Sequence, residues 1–324
     1  MATEQWVIVL ATAVASATPL VFAVLGETLS ERAGVINLSA EGTIMFCAMA
    51  GFAAALATNS VLVGFGAAAV IGALIALIVA FSAITLKQSQ TAVGFVLALL
   101  FSDLSSFLGA PLVRIPGPTV PAFAIPVLSE IPILGRLFFS SDPLVYLSYV
   151  AIAVTWVFFY RTRAGLMLRA IGEQPNAAFV RGADVVRLRY LYTLLGGALM
   201  GIAGAAFSLN FKAGWTFRHT GGYGWIALAI VIFGGWNPLR AALGAYLFGI
   251  LQSLASVAQD QFQGVPTQVL NVAPFVLMIV LLVVTSSGWL ERLLAGAPAP
   301  VRRRVLQALH AAPPAALGKP FRQD

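Results

Sequence analysis

The sequence predicts an all-α polytopic membrane protein with about nine transmembrane segments, some of them broken or re-entrant. Of its 324 residues 60% are hydrophobic and 10% charged, the mean hydropathy is +0.92, and the apolar residues gather into runs of membrane-spanning length. A transmembrane barrel would instead show alternating strands of about ten residues, a pattern the chain lacks. The net charge of +7 and the pI near 10 could suggest nucleic acid. The arginines sit beside apolar spans, however, so orientation of the spans explains them and no nucleic-acid partner is expected.

The chain opens MATEQWVIVL, with Glu4 and no basic residue before the first apolar run. A cleavable signal peptide would open with basic residues, so the first span is expected to be retained with its amino end outside. Apolar stretches between charged or Pro/Gly-rich breaks place spans near 6–25, 36–58, 61–86, 91–110, 144–160, 190–209, 223–235, 241–257 and 269–287. Cys47, the one cysteine, lies in an apolar run and reads as a small packing residue.

Between the first two runs lies LGETLSERAGVINLSAEG, residues 25–42, where Glu27, Glu31, Arg32 and Glu41 fall within or beside membrane sequence. A charge at mid-bilayer costs on the order of 2.5–3.5 kcal/mol on insertion scales, so these groups should face an aqueous path or each other. Small residues suited to close helix packing recur as Gly64, Gly66 and Gly72 in the third span and Gly196, Gly197, Gly201 and Gly204 in the sixth. The stretch 111–143 holds seven prolines and reads as an external loop with at most short structure.

Residues 161–189 form the longest polar interval, carrying six arginines against Glu173 and Asp184. With this loop in the cytoplasm, fifteen basic residues fall inside and four outside, which orients the chain. Gly165, Gly172 and Pro175 segment the loop, and Asn176 could cap a short helix containing Ala177, Ala178, Phe179 and Val180. Such a helix cannot bury its apolar face alone, so a partner is expected. The plainer reading is a basic loop that only sets topology.

The run 223–235 would extend only about 20 Å as a helix against a hydrocarbon core of about 30 Å, so it should be broken or re-entrant. The turn GGWNPL at 234–239 ends it, because Pro238 removes a donor and the glycines relax the backbone. Each half of the chain thus holds a polar break before a small-residue helix, which suggests a duplicated transporter fold whose repeats could be parallel or inverted. The transmembrane part is taken as residues 1–290. The tail, 291–324, is basic and Pro/Ala-rich, and is expected to hold an amphipathic anchor followed by disorder.

Some chemistries have no matching motif. There is no G-x-x-x-x-G-K-[ST] with which to bind ATP, no G-x-S-x-G, and no metal-ligand spacing around His219 and His310. The chain is therefore not expected to be an enzyme or to hold a cofactor or metal. Asp103, late in the fourth span, reads as a helix-pairing residue rather than an ion-coupling one.

The stretch GETLSERAGVINLSAEG, followed by RAIGEQPNAA at 169–178 and IFGGWNPLRAALGA at 232–245, resembles the integral membrane permeases of ABC importers in the branched-chain amino acid, simple sugar and nucleoside class. The likeness is greatest to the nucleoside-type branch. It implies a type II-like permease in the plasma (inner) membrane of a prokaryote, among membrane lipids. It also implies a second permease subunit, homologous or identical, separate cytoplasmic ABC ATPase subunits that consume the ATP, and an external substrate-binding protein, often a lipoprotein. A short cytoplasmic helix near 163–181 would dock in a groove of the ATPase, which assigns coupling to Arg169, Gly172, Glu173 and Asn176.

Asn37, Ser39 and Glu41 are then expected to line the substrate pathway, where hydroxyl and amide groups suit a ribose or a nucleobase. The alternative is that Asn37 and Glu41 only cap the helix that follows. Trp236 and Asn237 are assigned to the same cavity, the alternative for Trp236 being an interfacial anchor. Nucleosides are favoured as substrate, then simple sugars, then branched-chain amino acids. The rival reading is a stand-alone secondary transporter or channel driven by an ion gradient.

Overall fold

The computed structural model describes residues 2–132, 134–261, 272–273, 275–277, 279–280, 283 and 312–321. Eleven α-helices follow one another among them: α1 (Ala2–Arg32), α2 (Ala40–Thr58), α3 (Val61–Ala80), α4 (Gln90–Gly109), α5 (Leu134–Phe138), α6 (Pro143–Arg161), α7 (Arg163–Glu173), α8 (Pro175–Val180), α9 (Val185–Ala206), α10 (Tyr223–Phe233) and α11 (Pro238–Gln261). Helices α3 and α9 each end in a five-residue π turn, Phe81–Thr85 and Phe207–Phe211. Seven helices are long and apolar enough to cross a membrane, and α10 is apolar but short. The expected span at 269–287 and the boundary at 290 lie largely outside the described residues.

Helices α1, α2 and α9 form the buried centre, while α3, α4 and α6 turn much of their apolar surface outward. That outward surface includes Val70, Leu74 and Ile78 of α3, Val96, Leu99 and Phe107 of α4, and Leu147, Val150 and Val154 of α6. In lipid such residues need no cover, and packing rather than the hydrophobic effect holds the helices together. The closest seam joins α3 to α9, where a Cβ on Gly72 or Gly197 would strike the other's carbonyl and one on Gly201 would strike that of Ala68. Gly66, expected in this seam, faces open space.

The first break differs from its expected extent. The segment LGETLSER stays helical, because Glu27 and Glu31 are buried inside the bundle and the residues around them are mostly good helix formers. Helix α1 ends instead on Gly34, whose φ of 91° closes the helix with Val35 N–H donating to Ser30 O (3.1 Å) and Gly34 N–H to Glu31 O (2.9 Å). Helix α10 ends the same way on Gly235, with φ of 62° and Trp236 N–H donating to Val231 O (3.1 Å). The irregular stretch after α1 is therefore 33–39, and its counterpart is 212–222 between α9 and α10, not the turn at 234–239. Helices α1 and α9 run antiparallel, since Gly26 meets Gly196 and Met200 while Gly34 meets Arg189. Each is followed by a non-helical stretch and then by a helix, α2 or α10, that begins inside the bundle. The two units thus run in opposite directions, the inverted form of repeat.

Candidate functional site

Two polar centres lie along one line through the bundle. The inner one sits where α2 and α10 begin. Asn37, Ser39 and Glu41 are all buried there, with Asn37 Nδ2 approaching Met200 Sδ at 3.5 Å. Met200 lies roughly 22 Å along α9 from Val185, so the centre is far from the end of the bundle where α9 begins. Asn37 Oδ1 accepts from Ser39 Oγ (2.5 Å) and Ser39 N–H (3.2 Å), and Ser39 Oγ lies 3.1 Å from Thr43 Oγ1. Glu41 occupies the first turn of α2 but serves the other half-helix: its Oε1 accepts from Thr220 Oγ1 (2.7 Å) and Gly222 N–H (3.0 Å), and its Oε2 from Gly224 N–H (2.7 Å). A carboxylate at a helix amino end meets both unpaired donors and the favourable end of the helix dipole.

The segment 212–222 that delivers those donors was invisible in the sequence, where it reads as a plain external loop. Lys212 Nζ donates to His219 O (2.6 Å), and His219 lies against Trp215 with ring centroids 5.3 Å apart. Burial, with Lys212 acting in the same direction, pushes the His219 imidazole down to about 4, so this ring is neutral at physiological pH.

The second centre lies at the end of α1. Trp236 and Asn237 belong here, away from Asn37 and Glu41. Trp236 Nε1 donates to Glu31 Oε2, and the carbonyls of Trp236 and Gly235 accept from Arg32 Nε (2.9 Å) and Nη2 (3.2 Å). Asn237 Oδ1 accepts from Leu239 N–H (3.0 Å) and Arg240 N–H (3.3 Å), capping α11, while its Nδ2 donates to Tyr160 OH (3.0 Å). Between the centres stands Glu27, fully buried, with no hydrogen-bond partner for either oxygen among the described residues. Asp103 is exposed on α4.

Residues 9–285 match the family described as branched-chain amino acid transport system, permease component. The chain belongs to that family. A putative glucose ABC transporter permease of Haloferax volcanii is 40% identical over 251 residues, 76% of each chain. A nucleoside ABC transporter permease of Lactococcus lactis is 33% identical over 292 residues, covering 85% of this chain and 91% of its own. A guanosine ABC transporter permease of Bacillus subtilis is 33% identical over 283 residues, covering 82% and 88%. No solved structure matches.

In this permease the loop 161–189 folds as two short helices. Thr162 caps α7 by accepting from Gly165 N–H (3.0 Å). Asn176 does not cap α8: Gln174 precedes it, Pro175 holds the first helical position, and Asn176 lies exposed in the first turn. Arg169, Gly172 and Glu173 turn toward the permease body. The Arg169 guanidinium lies 5.1 Å from the Tyr160 ring centroid. A Cβ on Gly172 would collide with the Arg32 carbonyl, and Glu173 Oε1 meets Arg32 Nη1 at 3.4 Å. Arg32 therefore joins the loop 161–189 to the turn at 235–236. The large apolar residues α8 leaves outward are Phe179, 43% exposed, and Val180, 85% exposed.

The tail also departs from expectation. Residues 312–321 are folded onto the end of the permease that carries α7 and α8 rather than disordered, with Ala316 N–H donating to Gly172 O (2.9 Å) and Gly318 N–H to Gly34 O (3.1 Å). A proline- and alanine-rich composition signals no core of its own, and the partners that order it are scattered across the chain.

Proposed function

We propose that this permease forms half of the passive pathway of an importer for a small polyhydroxylated solute, nucleosides first and simple sugars second. The whole-length likeness to nucleoside, guanosine and glucose permeases carries the substrate class. Separate ABC ATPase subunits drive it from the cytoplasm, an external substrate-binding lipoprotein delivers the solute, and a second permease subunit, identical or homologous, completes the pathway. The chain hydrolyses no ATP itself.

In this reading Asn37, Ser39 and Glu41 hold the middle of the pathway, and Trp236 and Asn237 close its cytoplasmic end. The Asn37 amide and the Ser39 hydroxyl are the neutral donors and acceptors suited to a sugar ring. Asn176, Phe179 and Val180 meet the ATPase, while Arg169, Gly172 and Glu173 pass its movement to Arg32. A gradient-driven transporter is the second reading, favoured by the unpartnered carboxylate of Glu27.

Reconstitution of the permease with its ATPase, second permease and binding protein decides between them. Uptake of labelled nucleoside should require ATP and be competed by unlabelled nucleosides, weakly by ribose or glucose, and not by leucine. Uptake that persists without ATP under a proton gradient would overturn the importer reading.

A further inference from the structure

Residues 312–321 lie beyond the family match, which ends at 285, yet they make some of the most specific contacts at the cytoplasmic end. Within the segment, Leu317 N–H donates to Pro314 O (2.9 Å) and Lys319 N–H to Ala316 O (3.1 Å), a tight turn in which Gly318 has φ of 73°. The turn bonds three separate parts of the permease. It reaches α7 through Ala316 N–H to Gly172 O (2.9 Å) and Ala315 N–H to Glu173 Oε2 (3.1 Å). It reaches the end of α1 through Gly318 N–H to Gly34 O (3.1 Å). It reaches α9 through the Lys319 carbonyl, which accepts from Arg189 Nη1 at 3.0 Å. A fourth contact, with α8, is apolar: the rings of Phe321 and Phe179 lie 5.8 Å apart, and Phe321 joins the small core made by Leu29, Leu168, Ile171 and Ala178.

These contacts have one mechanical meaning. Glu173 is held on both oxygens, by Arg32 on one and by the tail on the other. Helix α8, with six residues, is too short to hold its place alone, and the tail packs on the Phe179 ring whose outer part is exposed. Arg189 is buried, with Nε and Nη2 unpartnered among the described residues, and its Nη1 donates to the Lys319 carbonyl of the tail.

We propose that residues 312–321 are a strap that makes the coupling helices one rigid body with the end of α1, and so fixes the direction in which α8 presents Phe179 and Val180 to the ATPase. Exposed Arg181 directly follows Phe179 and Val180, so α8 offers an apolar face with a cationic edge, which suits an ATPase groove with an acidic rim. The strap is a positioning element. It passes the ATPase movement to Arg32 and the turn at 235–236, and it stays in place through the cycle.

The inference rests on the importer reading, and one assay separates their failures. In the reconstituted full importer, ATPase activity is measured with and without loaded binding protein, alongside nucleoside uptake. The unaltered chain tests the importer reading, which fails if no stimulation is seen. Deletion of residues 312–324 should leave the ATPase bound and its basal activity intact, while stimulation and uptake fall together by about fivefold or more. Phe321→Ala should fall in the same direction and Phe321→Tyr, which keeps the ring, should recover most of the loss. This pair decides the matter if the deletion fails to assemble. Stimulation unchanged in the deletion, or equal losses for Phe321→Ala and Phe321→Tyr, would overturn the strap.

Discussion

Glu41 shows what a single side chain contributes in the absence of water. Its three acceptor contacts satisfy the opening of α10, and hydrogen bonds to a charged acceptor are worth about 1.5–3 kcal/mol each. Replacing it by alanine strands two buried amides and a hydroxyl, at a cost of roughly 3–5 kcal/mol. Glu41→Gln keeps one acceptor oxygen and should lose about half as much. Thermal melting of the detergent-solubilised permease should therefore rank the unaltered chain above Glu41→Gln and Glu41→Ala lowest. Equal melting of the two variants would deny the capping role. That Glu41 needed a polar setting was legible in the sequence, because a carboxylate in an apolar run must find one. Its partners were not, since they lie about 180 positions away in a loop with ordinary external composition. Arg32 was legible in the same limited sense: its charge marked the end of a span, while its hold on two carbonyls and Glu173 is a property of the fold.

Helix packing sets the tolerance for change at the next scale. Glycine spacing marked the third and sixth spans as closely packed, because glycine lets backbones approach in lipid, but that the two pack on each other came from the structure. Spacing could not tell the packed glycines from Gly66, which shares the helix but not the seam. Gly201→Leu should thus push α9 away from Ala68 and reduce the yield of monodisperse protein severalfold, as overpacking commonly costs 1–3 kcal/mol. Gly66→Leu should leave the yield near that of the unaltered chain. Size-exclusion profiles of the two variants check this, and a loss at Gly66 as large as at Gly201 would contradict the seam. Element ends were read less well than element cores. Charges at Glu27 and Glu31 suggested a break, yet burial among helices keeps α1 intact to Arg32. The turn at 234–239 was legible as a break, but not its partners: Trp236 meets Glu31 and Asn237 meets Tyr160, and both partners lie in other helices.

The path of the whole chain ties these centres to the two faces of the membrane. Arg32 and Gly34 touch the loop 161–189 and the tail, so α1, α7, α8 and residues 312–321 share one side. The sequence count of fifteen basic residues inside against four outside expects that side to face the cytoplasm. Helix α10 starts at Glu41 and ends at the Arg32 level, so it crosses only part of the bilayer, and α11 starts where α10 stops. The arrangement gives a labelling pattern that no alternative order of spans shares. With Cys47 replaced by alanine, Val180→Cys, Lys319→Cys and Leu239→Cys should react with an impermeant maleimide only in inside-out vesicles. Asn59→Cys and Phe217→Cys should react only in right-side-out ones. All five positions except Leu239 lie in or beside non-helical ends, and Leu239 and Phe217 are 46% and 54% exposed, so access is not limiting. Labelling of Leu239→Cys from outside would mean that 223–261 is a hairpin that never reaches the cytoplasmic end, and Arg32 could then not connect the coupling loop to the turn. Labelling of Lys319→Cys from outside would break the strap. Labelling of both from the inside would put the strap and the turn at 235–236 on one face of the membrane, joined through the Arg32 side chain to Glu173.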